Sequence, residues 1–311
     1  MAERFGQYGA HRTLEIIPGL IVWSVLATAL ALSLFAPIAG IIFIIVFDLY
    51  WMLRVYYFVI HVVAAYRSYR QSIRVDWYAN IQKIDGWERI YHVIMLPTFQ
   101  EDESIVEEAI RAVLRGPYRT DRVIIALGGE EKDQENFSPI AEAMRKKYAE
   151  RFAGFIVTVH SFGQEGEIPG KGSNLHYMGG EVKKVIDEMG IPYDDIIVSA
   201  FDIDTVAHPQ YFAKLSHLFL TIPNPTRTSF QPVTVFSNNI WSATAPVRIA
   251  AFGTTFWLLG ELVRPERLWT FSSHSMSWQA LVDVGFCRIL GAGFGERRFA
   301  HFYASVLEIR W

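Results

Sequence analysis

The sequence predicts an α/β domain whose β-sheet is mostly parallel, preceded by an N-terminal hairpin of two transmembrane helices. Three observations predict this architecture. Two long apolar stretches open the chain, short apolar segments alternate with amphipathic ones after residue 90, and polar residues follow each short apolar segment. Alternating strands and helices are typical of βαβ units, in which neighbouring strands run parallel.

The N-terminal apolar stretches are long enough to cross a bilayer. The first, Ile16–Ala36, contains no charged residue and can span a hydrocarbon core of ~30 Å. Pro37 separates it from the second stretch, Ile38–Val63. A signal peptide is the alternative interpretation, but its apolar core would be shorter. We therefore interpret residues 1–66 as a membrane anchor and residues 67–89 as a juxtamembrane connector.

The positive charges predict the orientation of this hairpin. Arginines flank its two open ends, whereas the tip between the two stretches contains no lysine or arginine. Positive charges stay on the cytoplasmic side of a membrane. The sequence therefore predicts a multi-pass protein of the inner (plasma) membrane whose soluble domain faces the cytoplasm. The flanking arginines are Arg4, Arg12, Arg67, Arg70 and Arg74.

The overall composition excludes some classes of function. The 311 residues carry a net charge of −3, so the chain has no global basic field for nucleic-acid binding. Cys287 is the sole cysteine, which excludes an internal disulfide and a cysteine-based zinc site. We expect a membrane as a partner and no nucleic acid.

The remainder of the chain, residues 90–286, predicts a parallel sheet in which strands alternate with helices. Four apolar segments predict strands, at residues 92–97, 122–129, 154–160 and 195–202. Helix-period segments follow them at residues 101–116, 138–152, 173–190 and 209–220. Ligands of such sheets lie beyond the carboxyl ends of the strands. We therefore expect the site where the polar strand ends converge.

Two aspartates at the end of the fourth strand are the strongest candidate for a metal site. Asp202 and Asp204 are two residues apart, so on extended backbone their side chains point the same way. Paired carboxylates suit Mg²⁺ or Mn²⁺, with substrate phosphates completing the ligand shell. The alternative is structural, since an aspartate before the segment PQYF can cap the following helix.

Four segments, in their order along the chain, resemble family 2 glycosyltransferases with the GT-A fold, of the bacterial membrane-anchored type. They are LPTFQED, VIIALGGEE, GKGSNL and AFDIDT, and the resemblance covers about Ile90 to Phe286. It implies transfer of a sugar from a UDP- or GDP-sugar to a polysaccharide or lipid-linked acceptor. The implied reaction is an inverting displacement assisted by Mg²⁺ or Mn²⁺.

The resemblance also implies roles for particular residues. Asp202 and Asp204 match the metal-binding aspartates, and Lys171 matches a lysine near the diphosphate. A lysine in a solvated loop is the alternative interpretation of Lys171. The implied donor-binding residues are Pro97, Thr98, Gln100, Glu101, Glu130, Lys171, Asn174 and Asp202. The implied residues of the acceptor and sugar pocket are Ser273, His274 and Ser275.

The C-terminal part departs from the family pattern. The family places an acidic general-base motif shortly after a Val-Gly-Phe segment, but residues 287–311 contain only Glu296 and Glu308 as acids. We interpret these residues as an atypical tail, produced by a frameshift or truncation, and leave the catalytic base unassigned. Residues 231–244 predict a strand and turn on the acceptor side. Residues 247–263 predict either core or a surface in contact with the membrane.

Two other functions stay open at this stage. Without its general base, the chain would be a non-catalytic, donor-binding or scaffold protein of the membrane. A nucleotidyltransferase also combines a parallel sheet, a basic loop and carboxylates that hold a metal ion.

Overall fold

The computed structural model describes residues 2–163, 170–237, 240–241, 243–264, 273–286 and 308–310. The chain forms two compact units, residues 1–63 and 64–311. The predicted tail at residues 287–311 lies outside the described residues, except for the strand at its end.

The first unit consists of long apolar helices. Helix α1 spans Ala2–Phe35, and α2 begins at Pro37 and continues to Ser72 in the second unit. Both helices contain stretches long and apolar enough to cross a membrane, with a mean hydropathy of 2.1. From Arg12 to Val63 their side chains are almost entirely exposed, and such helices are weak evidence for membrane association. Since α2 extends to Ser72, part of the predicted connector is helical.

The second unit alternates strands and helices. The strands are β1 (Tyr91–Pro97), β2 (Val123–Glu130), β3 (Gly154–His160), β4 (Ile196–Ala200), β5 (Thr228–Phe230), β6 (His274–Ser277) and β7 (Glu308–Arg310). The helices are α3 (Trp77–Ile81), α4 (Glu103–Leu114), α5 (Gln134–Tyr148), α6 (Lys171–Met189), α7 (Tyr211–Thr221), α8 (Ala245–Leu262) and α9 (Trp278–Asp283). The four predicted strands are confirmed to within two residues.

The strands form one mixed sheet in the order β3-β2-β1-β4-β6-β5-β7. The first four are mutually parallel, which confirms the mostly parallel α/β fold. Strand β6 is antiparallel to both β4 and β5, whereas β7 is parallel to β5. The prediction of a strand within residues 231–244 is wrong for the described part of that stretch, which contains no strand. Pro232 lacks the N–H that a strand needs, and the chain leaves the sheet after Phe230.

Helices cover both faces of the parallel strands. On β1, Ile94 and Leu96 face a core that includes side chains of α4, α5 and α7. Val93 and Met95 face the opposite core, formed with α6 and Trp278 of α9. This alternation follows from the two-residue period of a strand. Burial on both faces explains why β1 and β2 are continuous apolar runs in the sequence.

Glycines at the end of β2 let helices approach the sheet closely. A Cβ on Gly128 would lie 2.2 Å from Met178 Sδ and 2.9 Å from Asn174 Oδ1, both on α6. We therefore expect Gly128→Ala to lower the free energy of unfolding by about 1–3 kcal/mol, because the buried side chains of Met178 and Asn174 must move. Thermal unfolding of the full chain in detergent, followed by circular dichroism, measures this.

Gly154→Ala on β3 is the matched control. A Cβ at Gly154 would meet its nearest atom, Ile124 Cγ2, at 3.4 Å, which is an ordinary contact. This variant is expected to keep the free energy of unfolding within about 0.5 kcal/mol. Equal stability of the two variants would contradict the close approach of α6 at Gly128.

Candidate functional site

A cleft of about 570 Å³ lies at the carboxyl ends of the parallel strands, next to the start of α6. The structure brings most of the predicted donor and metal residues together there. The predicted residues that line it are Pro97, Thr98, Glu101, Glu130, Lys171, Asn174, Asp202 and Asp204. They come from four distant parts of the sequence, and the parallel sheet unites them.

The two aspartates lie directly after β4, and both line the cleft. Ile203 between them is 6% exposed and packs in the apolar core. The carboxylates therefore flank a side chain that is anchored in the protein. Their structural alternative as a helix cap is excluded, because α7 begins only at Tyr211 and Gln210 precedes it as the capping residue.

Lys171 is the first residue of α6 and forms an ion pair with Asp202. Gly170 before it has a φ of 147°, a backbone conformation that glycine adopts without strain. The free N–H groups of a helix N-terminus and a lysine side chain both favour anions. The start of α6 thus adds positive potential to a cleft that is also lined by the acidic residues Glu101, Glu130 and Asp204.

Burial raises the pKa of Glu101, and the negative charges of Asp204 and Asp102 add to the shift. Glu101, Asp202 and Asp204 line the same cleft. A divalent cation placed among these carboxylates would relieve their mutual repulsion.

Asn174 lines the cleft with a side chain that is buried against the end of β2. The side chain is 1% exposed, and its Nδ2 donates to the Gly128 carbonyl at 3.3 Å. Its Oδ1 is also buried and accepts no hydrogen bond within the part of the chain that the structure describes. The Asn174 amide therefore fixes the first turn of α6 to β2 beside the cleft.

The ends of β1 and β2 hold the remaining predicted donor residues in defined positions. The backbone N–H and the hydroxyl of Thr98 both donate to the Gly128 carbonyl, at 2.7 and 3.1 Å. Glu130 pairs with His160 at 3.2 Å. Gln100 does not line the cleft. It has a φ of 57°, and its backbone N–H donates to Asp133 Oδ2 at 2.7 Å.

The predicted acceptor-pocket residues lie beside the cleft and do not line it. His274 and Ser275 belong to β6, and Ser275 is fully buried. Its hydroxyl bonds with those of Ser199 and Tyr211, each at 2.7 Å. Burial raises the pKa of Tyr211 to about 12, so this phenol stays protonated at neutral pH. The structure thus places Ser275 in a hydrogen-bond network within the protein.

Ser273 contacts both the backbone and the carboxylate of Asp202. Its hydroxyl accepts from the Asp202 backbone N–H at 3.0 Å and donates to Asp202 Oδ2 at 3.3 Å. It also bonds with Thr205 Oγ1 at 2.9 Å. Ser273 has a φ of 62°, in the left-handed region that non-glycine residues rarely adopt. These contacts orient the Asp202 carboxylate toward the cleft.

If Asp202 holds the metal ion as the sequence predicts, Ser273→Gly is expected to weaken Mn²⁺-dependent nucleotide binding about tenfold, because a residue that orients this ligand is lost. Glycine accepts the φ of 62° without strain, so the change removes the hydroxymethyl side chain without adding backbone strain. Isothermal titration calorimetry of UDP and GDP in the presence of Mn²⁺ measures the affinity.

Ser277→Gly, on the strand β6 that follows Ser273, is the control. Ser277 is fully buried, and its hydroxyl bonds to no described residue. Its replacement is expected to leave nucleotide affinity unchanged. Equal losses of affinity in both variants would mean that Ser273 acts only through the stability of β6.

The comparisons with known proteins give structural similarity only. No protein-family model and no curated protein sequence matches the chain. The structure is similar to a mannosyltransferase from Pyrobaculum calidifontis in complex with GDP-Man and Mn²⁺, with a TM-score of 0.43 and 13% identity, covering 80% of this chain and 67% of that one.

Two further solved structures resemble the chain. One is glucosyl-3-phosphoglycerate synthase from Mycobacterium tuberculosis in complex with Mn²⁺, UDP and phosphoglyceric acid, with a TM-score of 0.39, 16% identity and coverage of 74% and 71% of the two chains. The other is S. aureus TarS 1–349, with a TM-score of 0.35, 10% identity and coverage of 71% and 58%. At such low identities and TM-scores, none of these proteins assigns an activity to this chain.

Sequence reasoning missed several residues of the cleft. Phe99 and Phe162 line it and are each about half exposed, and Lys132 Nζ lies 3.3 Å from the centre of the Phe162 ring. The missed lining residues are Phe99, Lys132, Phe162, Gly170 and Ile203. Phe99, Lys132 and Phe162 each follow the end of a parallel strand within two residues. Extending the search beyond the strand ends would therefore have found them.

Proposed function

We propose that the chain is a membrane-anchored family 2 glycosyltransferase with the GT-A fold. It transfers a sugar from a UDP- or GDP-sugar to a lipid-linked or polysaccharide acceptor by inverting displacement. The observation that carries this proposal is that Asp202 and Asp204 after β4 line one cleft with Lys171 at the start of α6, which forms an ion pair with Asp202. Opposite charges at this spacing suit a diphosphate together with its metal ion.

The donor atoms of the cleft fit Mg²⁺ or Mn²⁺. Both ions prefer oxygen ligands, and carboxylate oxygens of Asp202 and Asp204 line the cleft. The described residues contain no group of three or more histidines, cysteines or acids placed to hold an ion. This suits an ion that takes further ligands from nucleotide phosphates and water. When bound, the metal ion would stabilise the charge that develops on the leaving diphosphate.

The protein's own residues position the donor. Lys171 attracts the diphosphate, and the helix that begins at this residue adds the positive end of its dipole to the same cleft. Asn174, one turn further along α6, lines the cleft beside Lys171. The exposed rings of Phe99 and Phe162 provide apolar faces on which a base or sugar ring can stack.

The domain division and the membrane topology belong to the same proposal. Residues 1–66 anchor the protein, residues 67–89 connect, and residues 90–286 form the transferase domain on the cytoplasmic face of the inner membrane. The apolar helices and the arginines at their open ends support this orientation. The tail at residues 287–311 remains proposed as atypical, and the catalytic base remains unassigned.

Turnover tests the proposal. The full chain in detergent is incubated with UDP- or GDP-sugars, Mn²⁺ and a membrane lipid extract as the source of acceptor. We expect release of UDP or GDP that requires both Mn²⁺ and the extract. Donor binding without release would favour the non-catalytic alternative, since the expected general base is missing from the sequence. Pyrophosphate released from a nucleoside triphosphate would instead reveal a nucleotidyltransferase.

A further inference from the structure

The first half of α8 is an exposed apolar helix in the second unit. Ile249, Phe252 and Phe256 are 74%, 50% and 49% exposed. Their spacing of three and four residues places them on one face of the helix. Arg248 is the only charged residue between Ala245 and Gly260. A water-soluble surface rarely presents a continuous apolar face of this kind.

Aromatic residues next to α8 extend this face. The Phe236 backbone N–H donates to Thr255 Oγ1 at 3.3 Å, and Arg248 donates to the Trp241 carbonyl at 2.8 Å. Both contacts hold the preceding loop against the helix. We call the resulting surface the α8 surface, and it comprises Phe236, Trp241, Ile249, Phe252, Phe256 and Trp257, each at least 44% exposed.

The polar side chains of this helix are satisfied within the chain. Thr254 donates to the Ala250 carbonyl at 2.8 Å, and Thr255 donates to the Ala251 carbonyl at 3.0 Å. Arg248 Nε also donates to the Ala243 carbonyl, at 2.9 Å. If this helix faced water, these donors could bond to water molecules and would need no partner in the protein. In a medium of low dielectric, each unsatisfied donor would cost several kcal/mol.

The second half of α8 is fixed in the protein. Leu258, Leu259 and Leu262 are buried, and Glu261 forms an ion pair at 3.0 Å with Arg264, where both side chains are nearly inaccessible. The helix therefore has one end packed in the domain and the other end exposed. The buried end of α8 therefore holds the exposed end in place.

We infer that the α8 surface inserts into the interfacial layer of a lipid bilayer. The same chain carries two apolar helices able to cross a membrane, so a bilayer is its constant neighbour if it is anchored as proposed. Tryptophan and phenylalanine are suited to the boundary between headgroups and acyl chains. The inference rests on the proposed membrane anchoring and is independent of sugar transfer.

Spin labelling tests this inference on the full chain. In a Cys287→Ala background, a nitroxide is attached through Phe252→Cys, and the protein is placed in vesicles of phosphatidylethanolamine and phosphatidylglycerol. Power saturation then compares collisions with O₂, which partitions into lipid, and with a water-soluble nickel chelate. We expect the label at position 252 to collide more with O₂ than with the nickel chelate.

Two control labels calibrate the measurement. Ile42→Cys lies in the proposed second span and should behave as a lipid-exposed site, whereas Glu142→Cys on α5 should behave as a water-exposed site. A water-like result at position 252 would overturn the inference. Protection from both reagents would also overturn it, since a protein segment or a second copy would then cover the surface. A water-like result at position 42 would overturn the anchoring as well.

Discussion

Asp204→Asn is expected to abolish metal-dependent nucleotide binding. Asparagine keeps the size of the side chain but removes one negative charge from a cleft in which Asp202 is already paired with Lys171. Changes to residues that only support a metal ligand typically cost ~10–100-fold in affinity. Loss of a direct ligand is therefore expected to cost at least about 100-fold. Calorimetric titration of UDP and GDP with Mn²⁺ measures the effect.

Asp283→Asn is the control for this variant. Asp283 is exposed at the end of α9, where it accepts a hydrogen bond from Gln279 at 2.6 Å, and it does not line the cleft. Its replacement is expected to leave nucleotide binding unchanged. If a folded Asp204→Asn protein binds UDP or GDP with Mn²⁺ as tightly as the native chain, Asp204 is not a metal ligand.

Lys171→Met is expected to change metal and nucleotide affinity in opposite directions. The lysine contributes charge to the diphosphate site, and hydrogen bonds to charged groups contribute about 1.5–3 kcal/mol, so nucleotide affinity should fall about tenfold or more. Lys171 also contacts the Asp202 oxygen that a metal ion would use. Without nucleotide, removal of this competing cation should therefore strengthen binding of Mn²⁺ alone. Titrations of Mn²⁺, followed by electron paramagnetic resonance, measure the second effect.

Lys183→Met provides a matched comparison on the same helix. Lys183 pairs with Asp187 at 2.6 Å on the surface of α6, away from the cleft. Since exposed ion pairs contribute little to stability, this variant should bind both Mn²⁺ and nucleotide as the native chain does. Weaker binding of Mn²⁺ alone by Lys171→Met would contradict competition between the lysine and the metal ion at Asp202.

The parallel part of the sheet was predictable because local and tertiary signals agree there. Strands β1 and β2 are buried on both faces, so each is an unbroken apolar run that ends in polar or special residues. The position of the candidate site was predictable from the same strand pattern. Asp202 and Asp204 come after β4, and every ligand site of such a sheet lies at that edge.

The antiparallel part was harder to predict, because its strands are short and polar. Strand β6 has the sequence HSMS, and its Ser275 is buried with hydrogen bonds that only the folded sheet supplies. Periodicity of apolar residues carries no signal for such a strand. The resemblance to the family implied a place for Ser275 in the acceptor and sugar pocket, whereas the structure gives its hydroxyl a partner in Ser199 and another in Tyr211.

The most direct test of the proposed function is donor binding by the full chain in detergent. A panel of UDP- and GDP-sugars is titrated by calorimetry with and without Mn²⁺. We predict that at least one donor binds only when Mn²⁺ is present, and that the double variant Asp202→Asn/Asp204→Asn loses this binding. A folded native chain that binds no donor under either condition would contradict the proposal that this cleft holds a nucleotide sugar and its metal ion.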